Sequence, residues 1–372
     1  MPDDTTFDDP RPPTEEEWGT PLVEPGSAPE VEQAFRRRMG MVSGAVPYVV
    51  PHPWLYRPFL FLADPALTDL DAGLAAAISF IVARDNSCRF CYSTFRTQLR
   101  LSNYSPDDLR KLETHFSAQG FSDREEWGLR LAVRLSRCDR VAPALDALRE
   151  RGVRTTAIRE IAGIAMLNLI ANRVGTTLSI PVSTFEGMAD EWYLRPWRTL
   201  ATPLLRLTRQ WTANGWHPLP PDASAGLLAP WLRGLRGTPV GTVLTHFTDQ
   251  WLAADRPLSV RTKLLMLAVV ARGTAAADLE AHLKAHLDDE HDVGPDAFEA
   301  AVDHLGGAAV DDEVEPLLRF ARASIRYDFG PIKRIAHDCT RGRDRAATLE
   351  AVASISLANA LARLELLRPL DD

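Results

Sequence analysis

The chain has 372 residues, 45% of them hydrophobic and 25% charged, with a net charge of −8. That is the balance of a soluble globular protein of about two domains rather than of a disordered chain, and no apolar run approaches the ~18 residues needed to cross a bilayer. The acidic balance, with no concentrated basic face, makes nucleic acid and anionic membrane poor partners.

Residues 1–28 are dominated by Pro, Asp and Glu and show no periodic apolar face, which predicts a disordered or extended, solvated tail. They lack the basic and then apolar order of a secretory signal, so a cytoplasmic location is expected. Residues 29–194 then read as a helical domain. Leu67, Leu70, Leu74, Ala77, Ile78, Ile81 and Val82 recur at three- and four-residue steps and place one apolar stripe on a helix. Asp85-Asn86-Ser87 interrupts that stripe, and Asn86 or Ser87 is a candidate N-cap for the next helix, which would put Cys88 in its first turn. Ser105-Pro106-Asp107-Asp108 and Ser122 followed by Glu125 are two further helix starts. Ile158, Ile161, Ala162, Ala165 and Leu169 form another stripe, interrupted by Asn168, Asn172 and Arg173, which are expected to bridge neighbouring helices.

Residues 195–240, rich in Pro, Gly and Trp, read as a linker that packs on something. Trp54, Trp192, Trp197, Trp211 and Trp216 cluster at the domain edges and the linker, where packing is the ordinary role of large aromatics. Residues 241–372 form a second helical domain. No set of alternating segments is bounded by hairpin turns, so the class is all-α.

The two domains read as copies. Residues 67–85 lie over 255–273, with Ala83-Arg84 on Ala271-Arg272, and residues 160–173 lie over 350–363, with Glu160 and Arg173 on Glu350 and Arg363. The nearly constant offset predicts a tandem duplication with a period too long for a solenoid.

Four cysteines are too few for a disulfide scaffold, and two of them form Cys88-x-x-Cys91. That spacing suits a redox dithiol, half of a metal site, or a reduced pair packed between helices. The start of a helix favours the first reading, because unpaired backbone N–H groups and the helix dipole stabilise a thiolate, and cysteines one turn apart can close a disulfide. Arg84, Arg89 and Arg96 could supply positive charge and Tyr92 a hydrogen bond. A zinc site on the pair would need two more ligands, for which Cys138 and Cys339 show no suitable spacing. His282 and His286, with Glu290 on the same helix face, have the spacing of metal ligands, but in a run of Asp and Glu they read as a solvated face. No metal and no cofactor is expected.

An apolar helix followed by A-R-x-N-x-C-x-x-C (Ala83 to Cys91) resembles the carboxymuconolactone decarboxylase and alkylhydroperoxidase D-like superfamily. Gly44-Ala45-Val46-Pro47 with His52-Pro53, and Asn172-Arg173 late in a helix, are similar to further family features. The resemblance implies two alkylhydroperoxidase D-like domains, with Cys88 and Cys91 as the catalytic residues of an antioxidant peroxidase or thiol–disulfide oxidoreductase. Its substrate would be a peroxide or a disulfide, with a protein thiol as partner, in a homo-oligomer (dimer or trimer). The family's redox members carry a glutamate and a histidine that relay a proton to the thiols; here those positions are Ala76 and Phe95, neither of which can do so. In the second copy Ala275-x-x-Asp278-x-x-x-His282 keeps only a histidine, and Lys263 stands at the glutamate position. The alternative is a non-catalytic interaction or ligand-binding scaffold with vestigial cysteines; the decarboxylase branch of the family finds no paired acid and base here.

Overall fold

The computed structural model describes residues 13–63, 65–118, 120–182, 226–255, 257–326 and 329–370. These residues form eighteen α-helices and no strand. The first ten are α1 (Glu15–Trp18), α2 (Pro29–Met39), α3 (Val46–Val49), α4 (Arg57–Ala63), α5 (Ala72–Asp85), α6 (Arg89–Leu101), α7 (Pro106–His115), α8 (Asp123–Arg137), α9 (Ala142–Glu150) and α10 (Thr155–Thr177). The remaining eight are α11 (Ala229–Leu232), α12 (Pro239–Ala253), α13 (Val260–Gly273), α14 (Ala277–His291), α15 (Pro295–His304), α16 (Glu315–Ala323), α17 (Phe329–Thr340) and α18 (Arg345–Leu364). No described helix is long and apolar enough to cross a membrane.

Local chemistry sets the helix starts. Asp71 accepts from the Gly73 and Leu74 N–H groups and starts α5, so Leu67 and Leu70 of the apolar stripe lie in the preceding loop rather than in the helix. Ser105 and Asp108 form the capping box of α7, with Pro106 at its first position, and the Glu125 carboxylate accepts from the Ser122 N–H at 2.6 Å at the head of α8. Ser259 and Asp344 start α13 and α18 in the same way.

The two longest helices, α10 and α18, pack against each other at the centre, and both are buried on every side over most of their length. Their polar residues bridge helices. Arg173 on α10 donates to the Ser324 carbonyl at the end of α16, and Arg363 on α18 donates through Nε to the Ser136 carbonyl of α8 at 3.0 Å. The bonds are reciprocal: each half supplies one arginine and receives one at the end of a helix. Glu160, fully buried on α10, accepts from the Thr68, Asp69 and Leu70 N–H groups at 2.6, 2.9 and 2.8 Å and fixes the loop before α5.

Glu350, the residue aligned with Glu160 in the sequence, pairs with Lys263 Nζ at 2.6 Å and with His52 Nε2 at 2.9 Å. His52 Nδ1 accepts from the Leu55 N–H, so Nε2 carries the proton and donates to the carboxylate. Lys263 spends its other donors on the Trp251 and Ala254 carbonyls. This buried network ties residues 50–55 to the second half.

Two expected boundaries differ. The tail predicted over 1–28 is, from residue 13 onward, a strap docked on the helices: Trp18 is 3% exposed, donates to the Ile180 carbonyl at 2.8 Å and stacks on Phe329, while Leu22 N–H bonds to the Leu178 carbonyl. The linker predicted over 195–240 falls outside the described residues up to 225; residues 226–240 are helical and packed, with Leu228 and Leu235 fully buried.

Candidate functional site

The hairpin between α5 and α6 positions the two cysteines. Asn86 ends α5, its side-chain amide donating to the Val82 carbonyl and to Ser136 Oγ, both at 2.8 Å. Ser87 turns the chain in the left-handed region, with φ 51°. Cys88 is then itself the N-cap of α6, not a first-turn residue following an Asn86 or Ser87 cap, and its Sγ accepts from the Cys91 N–H at 3.3 Å. That is the place of a capping oxygen, and it directs one of the orphan N–H donors of the helix at the sulfur.

Both thiols are reduced and enclosed, Cys88 at 0% and Cys91 at 3% exposure. The C-terminal part of α10 forms their floor: a Cβ placed on Gly175 would lie 2.9 Å from Cys88 Sγ and 3.5 Å from Cys91 Sγ. Glycine is therefore what lets α10 approach the pair. Sequence reading missed Gly175, because nothing near residue 175 marks a contact with residue 88.

Arg84, Arg89 and Tyr92, named from sequence, are turned to other partners. Arg84 donates to the Glu113 carbonyl at 2.6 Å, and the Tyr92 hydroxyl donates to Glu113 Oε1 at 2.5 Å. Burial, reinforced by Glu113, pushes the Tyr92 hydroxyl well above its usual pKa, so it stays protonated. Arg89 holds the strap, through the Pro13 carbonyl at 3.2 Å and Glu15 at 3.6 Å. Ala76 and Phe95, at the two relay positions, are both buried, at 6% and 5% exposure.

The other two thiols sit apart from the pair. Burial raises the pKa of Cys138, half-buried against the Thr274 carbonyl at 3.7 Å, and that of Cys339 to about 11; the Cys339 thiol donates to the Pro316 carbonyl at 2.8 Å. His282 bonds to the Leu227 carbonyl at 3.0 Å with its ring 4.9 Å from Trp231, and no group of three potential metal ligands occurs among the described residues. Trp54 stacks on Phe247; Trp192, Trp197, Trp211 and Trp216 lie outside the described residues.

The second half shows the same helix start without thiols. Ala275 takes the left-handed turn with φ 57°, as Ser87 does, and Ala276 is the N-cap of α14. The positional counterparts of Cys88 and Cys91 are thus Ala276 and Leu279, not Ala275 and Asp278, and His282 corresponds to Thr94 rather than to the residue four after the second cysteine. At this helix start the Glu365 carboxylate accepts from the Leu279 and Asp278 N–H groups at 3.0 and 3.2 Å. A negative group occupies the position that Cys88 Sγ holds at the head of α6. Compared with known proteins, the chain matches no family model, no curated protein and no solved structure.

Proposed function

We propose that the chain is a thiol-dependent redox protein of the alkylhydroperoxidase D-like kind, built from two copies of one helical unit, in which Cys88 and Cys91 cycle between dithiol and disulfide. The observation that carries this reading is the Cys91 N–H aimed at Cys88 Sγ from the head of α6, with Cys91 one turn on from Cys88 and both sulfurs against Gly175. The Glu365 carboxylate at the matching start of α14 supports it by showing an anion in that setting. Cys88 is accordingly the attacking sulfur. Its thiolate bonds to one oxygen of a peroxide, the O–O bond breaks, and the leaving oxygen takes a proton to become water or an alcohol. Cys91 then displaces hydroxide from the sulfenic acid, closing the disulfide and releasing water; a thiol reductant returns the pair to its starting state.

The test is treatment of the full-length protein with hydrogen peroxide, followed by peptide mass mapping. A Cys88–Cys91 disulfide should form, Cys88→Ser and Cys91→Ser should each abolish it, and Cys138 and Cys339 should stay reduced. A pair that remains reduced while the protein stays folded overturns the reading. A second reading, a non-catalytic scaffold, is favoured by Ala76 and Phe95 at the relay positions; it requires that the double serine variant retain every binding property of the wild type.

A further inference from the structure

Both thiols are buried, so a reagent reaches either sulfur when a wall of the site moves. One wall is the head of α6, which carries the pair, and the facing wall is α10 at Gly175. The strap that begins at residue 13 ties these two walls together. At its start Arg89, the residue after Cys88, donates to the Pro13 carbonyl at 3.2 Å and lies 3.6 Å from the Glu15 carboxylate. Further along, Trp18 Nε1 donates to the Ile180 carbonyl at 2.8 Å and the Leu22 N–H to the Leu178 carbonyl at 3.0 Å. Ile180 in turn donates its own N–H to the Gly175 carbonyl at 3.0 Å. The strap thus runs from the residue beside Cys88 to the turn that closes on the glycine under both sulfurs.

Its hold is local. The Glu15 side chain is 92% exposed, so its pairing with Arg89 is screened by water and contributes little. The anchor is Trp18, buried and stacked on Phe329 with ring centroids 5.6 Å apart, its carbonyl accepting from Lys333 Nζ. Phe329 and Lys333 both belong to α17, in the second half. A segment held by one buried side chain and a few bonds opens at a free energy well below that of global unfolding.

We propose that the strap is a clasp that keeps the Cys88–Cys91 site shut, and that its release at Trp18 lets α6 and α10 part and admits a reagent or partner thiol. The clasp rests on the redox reading above for what the opened pair then does, while the opening itself is independent of peroxide chemistry. Because the anchor is seated on α17, the second half governs access to the thiols of the first.

The experiment is a time course of alkylation by iodoacetamide on the folded full chain, read at each cysteine by peptide mass mapping. Wild type, Trp18→Ala, Trp18→Phe and Phe329→Ala are compared, each checked for an unchanged helical circular dichroism spectrum. Trp18→Ala should speed alkylation of Cys88 and Cys91 by about tenfold or more, since reaction through an opening tracks the population of the open form. Phe329→Ala should act in the same direction, and carries the test should Trp18→Ala fail to fold. Trp18→Phe keeps a ring but loses the N–H to Ile180, so its rate should fall between. Cys138 and Cys339 should keep their wild-type rates, which separates release of the strap from general unfolding. Rates at Cys88 and Cys91 that no variant raises, or a rise that Cys138 and Cys339 share in equal proportion, overturn the clasp and leave the redox reading untouched. Thiols that alkylate quickly in the released variants, yet form no disulfide with hydrogen peroxide, refute the redox reading and leave the clasp standing.

Discussion

Gly175→Ala tests the contact on which the site is built. Inside a helix, glycine to alanine ordinarily stabilises by up to about 1 kcal/mol, through helix propensity and a less flexible unfolded chain. Here the new Cβ would stand 2.9 Å from Cys88 Sγ and 3.5 Å from Cys91 Sγ, and the first distance is too short for carbon and sulfur. One sulfur or the α10 backbone must move, and overpacking of this kind costs about 1–3 kcal/mol. The net expectation is a loss of up to about 2 kcal/mol in the wild-type background. Cys88→Ala removes the clashing atom, so in that background Gly175→Ala should instead stabilise by up to about 1 kcal/mol. Urea unfolding followed by circular dichroism gives the four free energies of the cycle, with an expected coupling of about 1–3 kcal/mol. If Gly175→Ala has the same sign and size in both backgrounds, the thiols do not rest on α10 and the described site is wrong.

The buried network around Glu350 has a pH signature. Burial alone would raise that carboxyl, but the bonds from His52 and Lys263 outweigh it and hold its pKa below the usual carboxylate value. A lowered folded pKa adds stability that is present above the unfolded value, about 4.3, and is lost as pH falls through the folded one. Glu350→Gln should therefore lose about 3–5 kcal/mol at neutral pH, because it strands the buried Lys263 ammonium, and its stability should fall less steeply in acid; an unfolding series across pH reads both. Arg363→Met leaves the Ser136 and Ile325 carbonyls without their arginine donor and should cost about 3 kcal/mol or more, with Arg363→Lys restoring only part, since one ammonium cannot reproduce the planar fork. Trp18→Ala removes the anchor of the strap, so limited proteolysis should cleave within residues 13–26 well before the helical body; protection equal to wild type would show that Trp18 does not hold the segment.

What could be read from the sequence was what is local. The apolar stripes gave the helical class because each outer helix buries one side, and Ser105 and Ser122 marked helix starts because a cap and its partner lie three residues apart. The same reasoning saw only one stripe on α10, since a helix wrapped on all sides has no polar face to set the phase. It misread residues 13–28 for the opposite reason: a strap held by one indole and a few backbone bonds carries no period. Cys88 was found as a residue but not as a cap, because Ser87 in the left-handed turn shifts the helix start by one position. Most of the site's surroundings come from far along the chain, as with Gly175 under Cys88, and no spacing rule reaches them.

The register between residues 67–173 and 255–363 is the exception, because it converts sequence position into spatial expectation. An offset of 188–190 places Ser136 on Ser324 and Arg173 on Arg363, and those four residues bond crosswise between the halves. The same register places Cys88 and Cys91 on Ala276 and Leu279, so the arrangement that holds the halves together is present twice while the thiols are present once. The arginine clamps therefore do not depend on the cysteines. Replacing both cysteines by serine should leave the Arg173 and Arg363 bonds in place, and any activity lost with them is lost from the chemistry of the sulfurs rather than from the fold.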